Sequence, residues 1–141
     1  MFVLDTDHLS LLEWRERTDT QRLRRRLAEL PAGQVASTVI TYEEQTRGWL
    51  AVLAGARSEA SLVEAYRRLT HHLDAWREIL VLPFDARSAV EYRRLLHLRL
   101  RVGTMDLRIA AIALAHDAAV LTRNLRDFQQ VSGLRSGDWT R

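Results

Sequence analysis

The chain has 141 residues, the size of one ordinary domain and too little for two that each bury a good core. Hydrophobic residues make up 47% and charged residues 28%, usage that excludes a disordered or fibrous chain, and the lack of cysteine excludes disulfides, thiolate metal sites and cysteine nucleophiles. The 21 basic residues, all arginine, exceed the 18 acidic ones by three, a weak excess that permits a polyanionic partner without requiring one.

Phe2-Val3-Leu4 is a short apolar run ending at Asp5, the pattern of a buried strand opening into a polar loop, and Asp7 is placed to cap a helix from His8. A second helix follows Thr18-Asp19-Thr20, with Leu23, Leu27 and Leu30 on one face, and stops at Pro31-Ala32-Gly33. Val35 to Val39 is the second strand, after which Thr41 to Glu44 has capping-box spacing for a helix reaching about Ala54 and closed by Gly55. Ser61 and Glu64 repeat that spacing, and Leu62, Tyr66, Leu69, Leu73 and Trp76 form an apolar stripe at helical period.

Ile79 to Leu82 is a third strand closed by Pro83, and Asp85 caps a helix with Ala89, Tyr92, Leu95 and Leu96 inward. After a break from Arg99 to Gly103, Thr104 opens a helix in which Ile109, Ala110, Ala113 and Leu114 are small or apolar enough to pack closely on a sheet. Ala118 to Leu121 is the fourth strand, and Trp14, Trp49, Trp76 and Trp139 are expected in the core or at interfaces. Strands separated by helices, without hairpin signals, give an α/β fold with a central parallel sheet flanked by helices. No apolar run approaches the roughly 18 residues that cross a bilayer, and the start lacks the pattern of a signal peptide, so a cytoplasmic protein without a membrane partner is expected.

In such a sheet, ligands collect beyond the carboxyl ends of the strands. Asp5 ends the first strand, Glu44 lies in the helix entry after the second, Asp106 sits in the first turn of its helix, and Asp127 follows the fourth strand with Asn124 just before it. Oxygen ligands gathered without cysteine suit Mg²⁺ or Mn²⁺. Each acid also has a structural role open to it: Asp106 toward a helix dipole, Glu44 in a capping box with Thr41, Asp127 in a turn. Asp5, with Asp7 better placed as the cap, is the hardest to explain structurally. The five histidines show no metal-ligand spacing.

Val3-Leu4-Asp5-Thr6-Asp7-His8-Leu9-Ser10, the Ile40 to Glu44 helix entry with Gly48, Gly103-Thr104-Met105-Asp106-Leu107-Arg108-Ile109-Ala110-Ala111, and Leu121-Thr122-Arg123-Asn124-Leu125-Arg126-Asp127-Phe128 together resemble the PIN-domain ribonucleases, and within them the VapC-type toxins of toxin–antitoxin pairs. The resemblance covers nearly the whole chain, including Gly133-Leu134 and Asp138-Trp139, and implies one PIN-like nuclease domain over residues 1–141. It implies a Mg²⁺- or Mn²⁺-dependent endoribonuclease with Asp5, Glu44, Asp106 and Asp127 as its acidic cluster, Asn124 as a further polar position and Thr6 as the hydroxyl beside the first acid. Glu44 is taken over Glu43 because the family's glutamate stands four residues before a glycine, here Gly48.

Which acid assists water deprotonation stays open. Arg101, Arg108, Arg123 and Arg126 lie near these positions in sequence, and Arg108 and Arg123 above all are candidates to hold RNA phosphates. The resemblance further implies a cognate antitoxin, a homodimer and a toxin–antitoxin hetero-oligomer. The alternative is a catalytically inactive nuclease-like module that binds protein or RNA, with its acids serving as caps.

Overall fold

The computed structural model describes residues 1–13 and 17–141. Five parallel strands, β1 (Phe2–Leu4), β2 (Val35–Thr38), β3 (Val81–Leu82), β4 (Ala119–Leu121) and β5 (Ser136–Gly137), form a sheet in the order β3-β2-β1-β4-β5. Seven helices are described: α1 (Thr6–Leu11), α2 (Thr18–Ala28), α3 (Val39–Ala54), α4 (Glu59–Arg77), α5 (Ala86–His97), α6 (Thr104–Ala115) and α7 (Leu125–Phe128). The parallel α/β architecture matches the sequence expectation.

Alternation along the central strands divides the core between the two sheet faces. Val3 and Val120 join Ile109, Ala110, Ala113 and Leu95 on one side, whereas Leu4 and Leu121 join Leu9, Leu23 and Trp76 on the other. Leu23 anchors α2 with no exposed surface, and fully burying such a side chain contributes roughly 1.5–3 kcal/mol. In α6, Ile109, Ala110 and Ala113 are completely buried, as their size and spacing indicate.

Several local expectations are corrected. Asp5, not Asp7, caps α1: its backbone is extended and its carboxylate accepts the Thr6 N–H. Asp5 therefore does have a helix of its own to cap. Helix α3 begins at Val39 with Thr38 as the cap, because Thr38 Oγ1 accepts the Thr41 N–H; Thr41 is the third helical residue, and no Thr41–Glu44 capping box forms. In α4 the cap is likewise three residues earlier than expected, with Ser58 and Ser61 forming the box. Helix α2 ends at Ala28, leaving Leu30 beyond it, and β3 and β4 start later than expected, at Val81 and Ala119. The short α7 and β5 were not foreseen.

The inward faces of α4 and α5 also differ from expectation. Ala65, His72 and Trp76 are the buried residues of α4, while Leu62, Tyr66 and Leu73 are 43%, 52% and 49% exposed, so most of the stripe faces outward. On α5, Ser88 and Leu95 are buried, Tyr92 is half-buried, and Ala89 and Leu96 are exposed. Trp76 is a core residue, Trp49 and Trp139 are half-buried, and Trp14 lies outside the described residues.

Candidate functional site

The chain crosses from β1 to β2 and β3 on one side and later places β4 on the other, so the order reverses between β1 and β4. That is where a doubly wound sheet opens a crevice at its carboxyl edge. The register pairs Leu4 with Leu121, and the next residues, Asp5 and Thr122, leave the sheet side by side. Asp5 Oδ1 accepts the Thr6 N–H at 2.7 Å, and Oδ2 accepts from Thr122 Oγ1 at 2.8 Å.

Asp5 is 6% exposed. Burial and the neighbouring Asp7 charge outweigh the hydrogen bonds from Thr6 and Thr122, with a further contribution from Asp106, and push its carboxyl up to about 7. Glu44 is raised too, chiefly by burial and then by Asp106, and Asp106 is raised by burial and by Asp127 and Asp7 against a hydrogen bond from Asn124. Each of these shifts carries a contribution from a neighbouring acid, so the carboxylates lie near enough to repel one another.

The four predicted acids come together. Asp106, in the first turn of α6, accepts from Asn124 Nδ2 at 3.1 Å, and the same amide reaches Asp127 Oδ2 at 3.0 Å, so Asn124 holds the two acids as a bridge. Thr6 Oγ1 lies 3.5 Å from Glu44 Oε2. Of the two adjacent glutamates, Glu43 turns to Arg47 at 2.6 Å, whereas Glu44 faces Thr6 and Asp106.

The arginines are less closely gathered. Arg123 joins the site through its backbone, its N–H donating to Asp7 Oδ2 at 2.9 Å, while its guanidinium approaches Asp19 at 3.9 Å. Arg108 lies over the Tyr92 ring at 5.5 Å, and Arg101 and Arg126 are exposed.

Sequence reasoning gave Asp7 only a capping role and passed over Thr122. Asp7 Oδ2 also lies 3.4 Å from Thr122 Oγ1, and that hydroxyl accepts the Asn124 N–H at 2.9 Å. A threonine immediately after a strand parallel to the one ending in Asp5 was the available signal, since parallel pairing sets the two residues abreast.

The donor set fits a hard divalent cation. It is all oxygen, it concentrates negative charge that burial leaves poorly solvated, and Glu44 Oε1 is buried without a hydrogen-bond partner. Among the described residues no three histidines or acids stand close enough together to hold a metal ion between them. Thr122 stands between Asp5 and Asp7, and Asn124 between Asp106 and Asp127.

A family model described as PIN domain matches residues 2–134. Ribonuclease VapC1 of Rickettsia felis is 36% identical over 58 residues, 38% of this chain, and the match spans only 43% of that relative. Among solved structures, VapBC-1 from nontypeable Haemophilus influenzae aligns with a TM-score of 0.69 at 25% identity over 99% of this chain and 98% of that one. VapBC2 from Rickettsia felis, bound to a DNA fragment from its promoter, aligns with a TM-score of 0.72 at 21% identity over 98% of each chain.

Proposed function

The chain belongs to the PIN-domain family, and from that premise we propose that it is a Mg²⁺- or Mn²⁺-dependent endoribonuclease toxin of the VapC type, hydrolysing RNA phosphodiester bonds. The observation that carries this reading is the meeting of Asp5, Glu44, Asp106 and Asp127, from four separate segments, beside the unpartnered Glu44 Oε1. Asp5 and Asp106 would be the principal ligands, with Glu44 and Asp127 binding through water or holding a second ion. A divalent cation held there would supply relief of phosphoryl charge, acidification of the attacking water and stabilisation of the leaving alkoxide.

The protein's own groups prepare that chemistry. Thr6 N–H and Thr122 Oγ1 fix the two oxygens of Asp5, and the Asn124 amide keeps Asp106 and Asp127 at a set separation. Arg123, half exposed and held only loosely toward Asp19, is able to turn to an RNA phosphate. Arg108 would first have to leave Tyr92, so Arg123 is the stronger phosphate contact of the pair.

The reading extends to the whole of residues 1–141 as one nuclease domain, acting in the cytoplasm as a homodimer and restrained in a hetero-oligomer by a cognate antitoxin. Among the described residues no helix is long and apolar enough to cross a membrane. An antitoxin would set a cationic side chain from an extended segment against the acidic cluster, where burial strengthens the attraction. Truncating that segment should abolish inhibition; unchanged binding and inhibition would contradict this mode.

The purified chain should cleave RNA with added Mg²⁺ or Mn²⁺ and stop with a chelator. Asp5→Asn and Asp106→Asn should abolish cleavage in folded protein, while Asp74→Asn, on the exposed side of α4, should not. Cleavage that survives exhaustive chelation, or equal activity in all three variants, would overturn the reading.

A further inference from the structure

A chain of hydrogen bonds runs from the C-terminal segment to the acidic cluster through His8, which has no exposed surface. His8 Nδ1 lies 2.9 Å from Asp7 Oδ1, and Nε2 lies 3.2 Å from the Trp139 backbone nitrogen and 3.6 Å from Asp138 Oδ1. A backbone N–H can only donate, so Nε2 accepts it and the ring proton sits on Nδ1, facing Asp7.

Asp7 passes the constraint on. Its second oxygen takes the Arg123 N–H at 2.9 Å and lies 3.4 Å from Thr122 Oγ1, the hydroxyl that donates to Asp5 and accepts from the Asn124 N–H. Both Asp7 oxygens are engaged in this way, which suits Asp7 to tying the segment after β4 onto α1. Trp139 is itself fixed against Phe2, with ring centroids 4.7 Å apart, so the outer end of the relay rests on packed structure.

We propose that His8 is a positioning residue for the acidic cluster: by donating from Nδ1 to Asp7 it locks the Thr122–Asn124 segment against α1 and so sets the carboxylates of Asp5 and Asp106. The functional part of this inference rests on the metal-dependent nuclease reading above; the relay itself does not. A histidine buried only to fill space would have no need of a particular nitrogen, and that difference is open to test. Asparagine places its amide nitrogen where Nδ1 stands and keeps the donor to Asp7. Glutamine instead reaches toward Nε2 and offers a carbonyl to the Trp139 N–H.

The full chain and its His8→Asn, His8→Gln and His8→Ala variants should be compared by exchange of the Arg123 amide, by Mn²⁺ affinity, and by kcat and KM on RNA. His8→Gln and His8→Ala should lose protection of the Arg123 amide, bind Mn²⁺ about tenfold more weakly and lose kcat with KM unchanged, the scale seen when groups that orient metal ligands are removed. His8→Asn should retain all three properties within about twofold while losing its contact to Trp139. Asn and Gln variants that lose Mn²⁺ affinity equally would reduce His8 to packing. An Arg123 amide equally protected in all four proteins would overturn the relay alone, whereas a wild-type chain that neither binds Mn²⁺ nor cleaves RNA would overturn the nuclease reading, and with it the part of the proposal that concerns the carboxylates.

Discussion

Asp5 sits at the end of a buried strand, and both its burial and the charge of Asp7 oppose its ionisation. With the folded value near 7 and the unfolded value near 3.8, the metal-free folded protein holds a proton that the unfolded chain has lost at intermediate pH. Stability contributed by this group is therefore fully present below the unfolded value and falls away as pH rises through about 7, by an amount on the order of 4 kcal/mol. Half-exposed Glu44 and Asp106 act in the same direction, and His72, lowered chiefly by burial, acts in the opposite one. Comparison with Asp5→Asn isolates Asp5. In denaturant unfolding with chelator, the variant should gain on wild type as pH goes from about 5 to about 8, and parallel pH profiles would contradict the assignment. Because a proton and a cation compete for the same carboxylate, Mn²⁺ affinity should also weaken below about pH 7 in wild type, as a titration at several pH values would show.

At the scale of single elements, Thr38 and Ser58 make a useful pair, since each caps a helix by accepting the N–H three residues on. Replacing either with alanine should cost about 1 kcal/mol, somewhat more at buried Thr38, where the Thr41 N–H would lose its partner in the interior. Only Thr38→Ala should also weaken Mn²⁺ binding, because α3 carries Glu44 and α4 carries no site residue; calorimetric titration of the two variants checks this. The sequence showed that these helices exist but set their starts late, since Thr38 and Thr41, like Ser58 and Ser61, are both good capping residues and the chain does not mark which of the two stands outside the helix. The late start had a consequence for function. With Thr38 as the cap, Glu44 is released from the capping box that had offered it a purely structural role. Inward faces were misread for a different reason: α4 buries only the narrow strip of Ala65, His72 and Trp76, so Leu62, Tyr66 and Leu73, which share the apolar periodicity with Trp76, point outward.

Across the whole molecule, the acidic positions were legible because parallel connectivity sends the carboxyl end of every strand to one edge, whatever the exact helix boundaries. The contacts that hold the acids in place were not, since Thr122 meets Asp7 and Asp5 from 115 and 117 positions further along the chain, and only strand order brings them abreast. The result is a fold that concentrates carboxylates at its switch point and leaves them under mutual repulsion when no cation is bound. The most direct test is thermal unfolding of wild type and Asp106→Asn at fixed ionic strength, with and without Mn²⁺. If the cluster is built to hold a cation, the variant should match or exceed wild type without metal. Wild type should then gain about 2.7 kcal/mol at a Mn²⁺ concentration about 100 times its Kd, and the variant distinctly less. A variant less stable than wild type without metal, yet stabilised by Mn²⁺ to the same extent, would contradict the account.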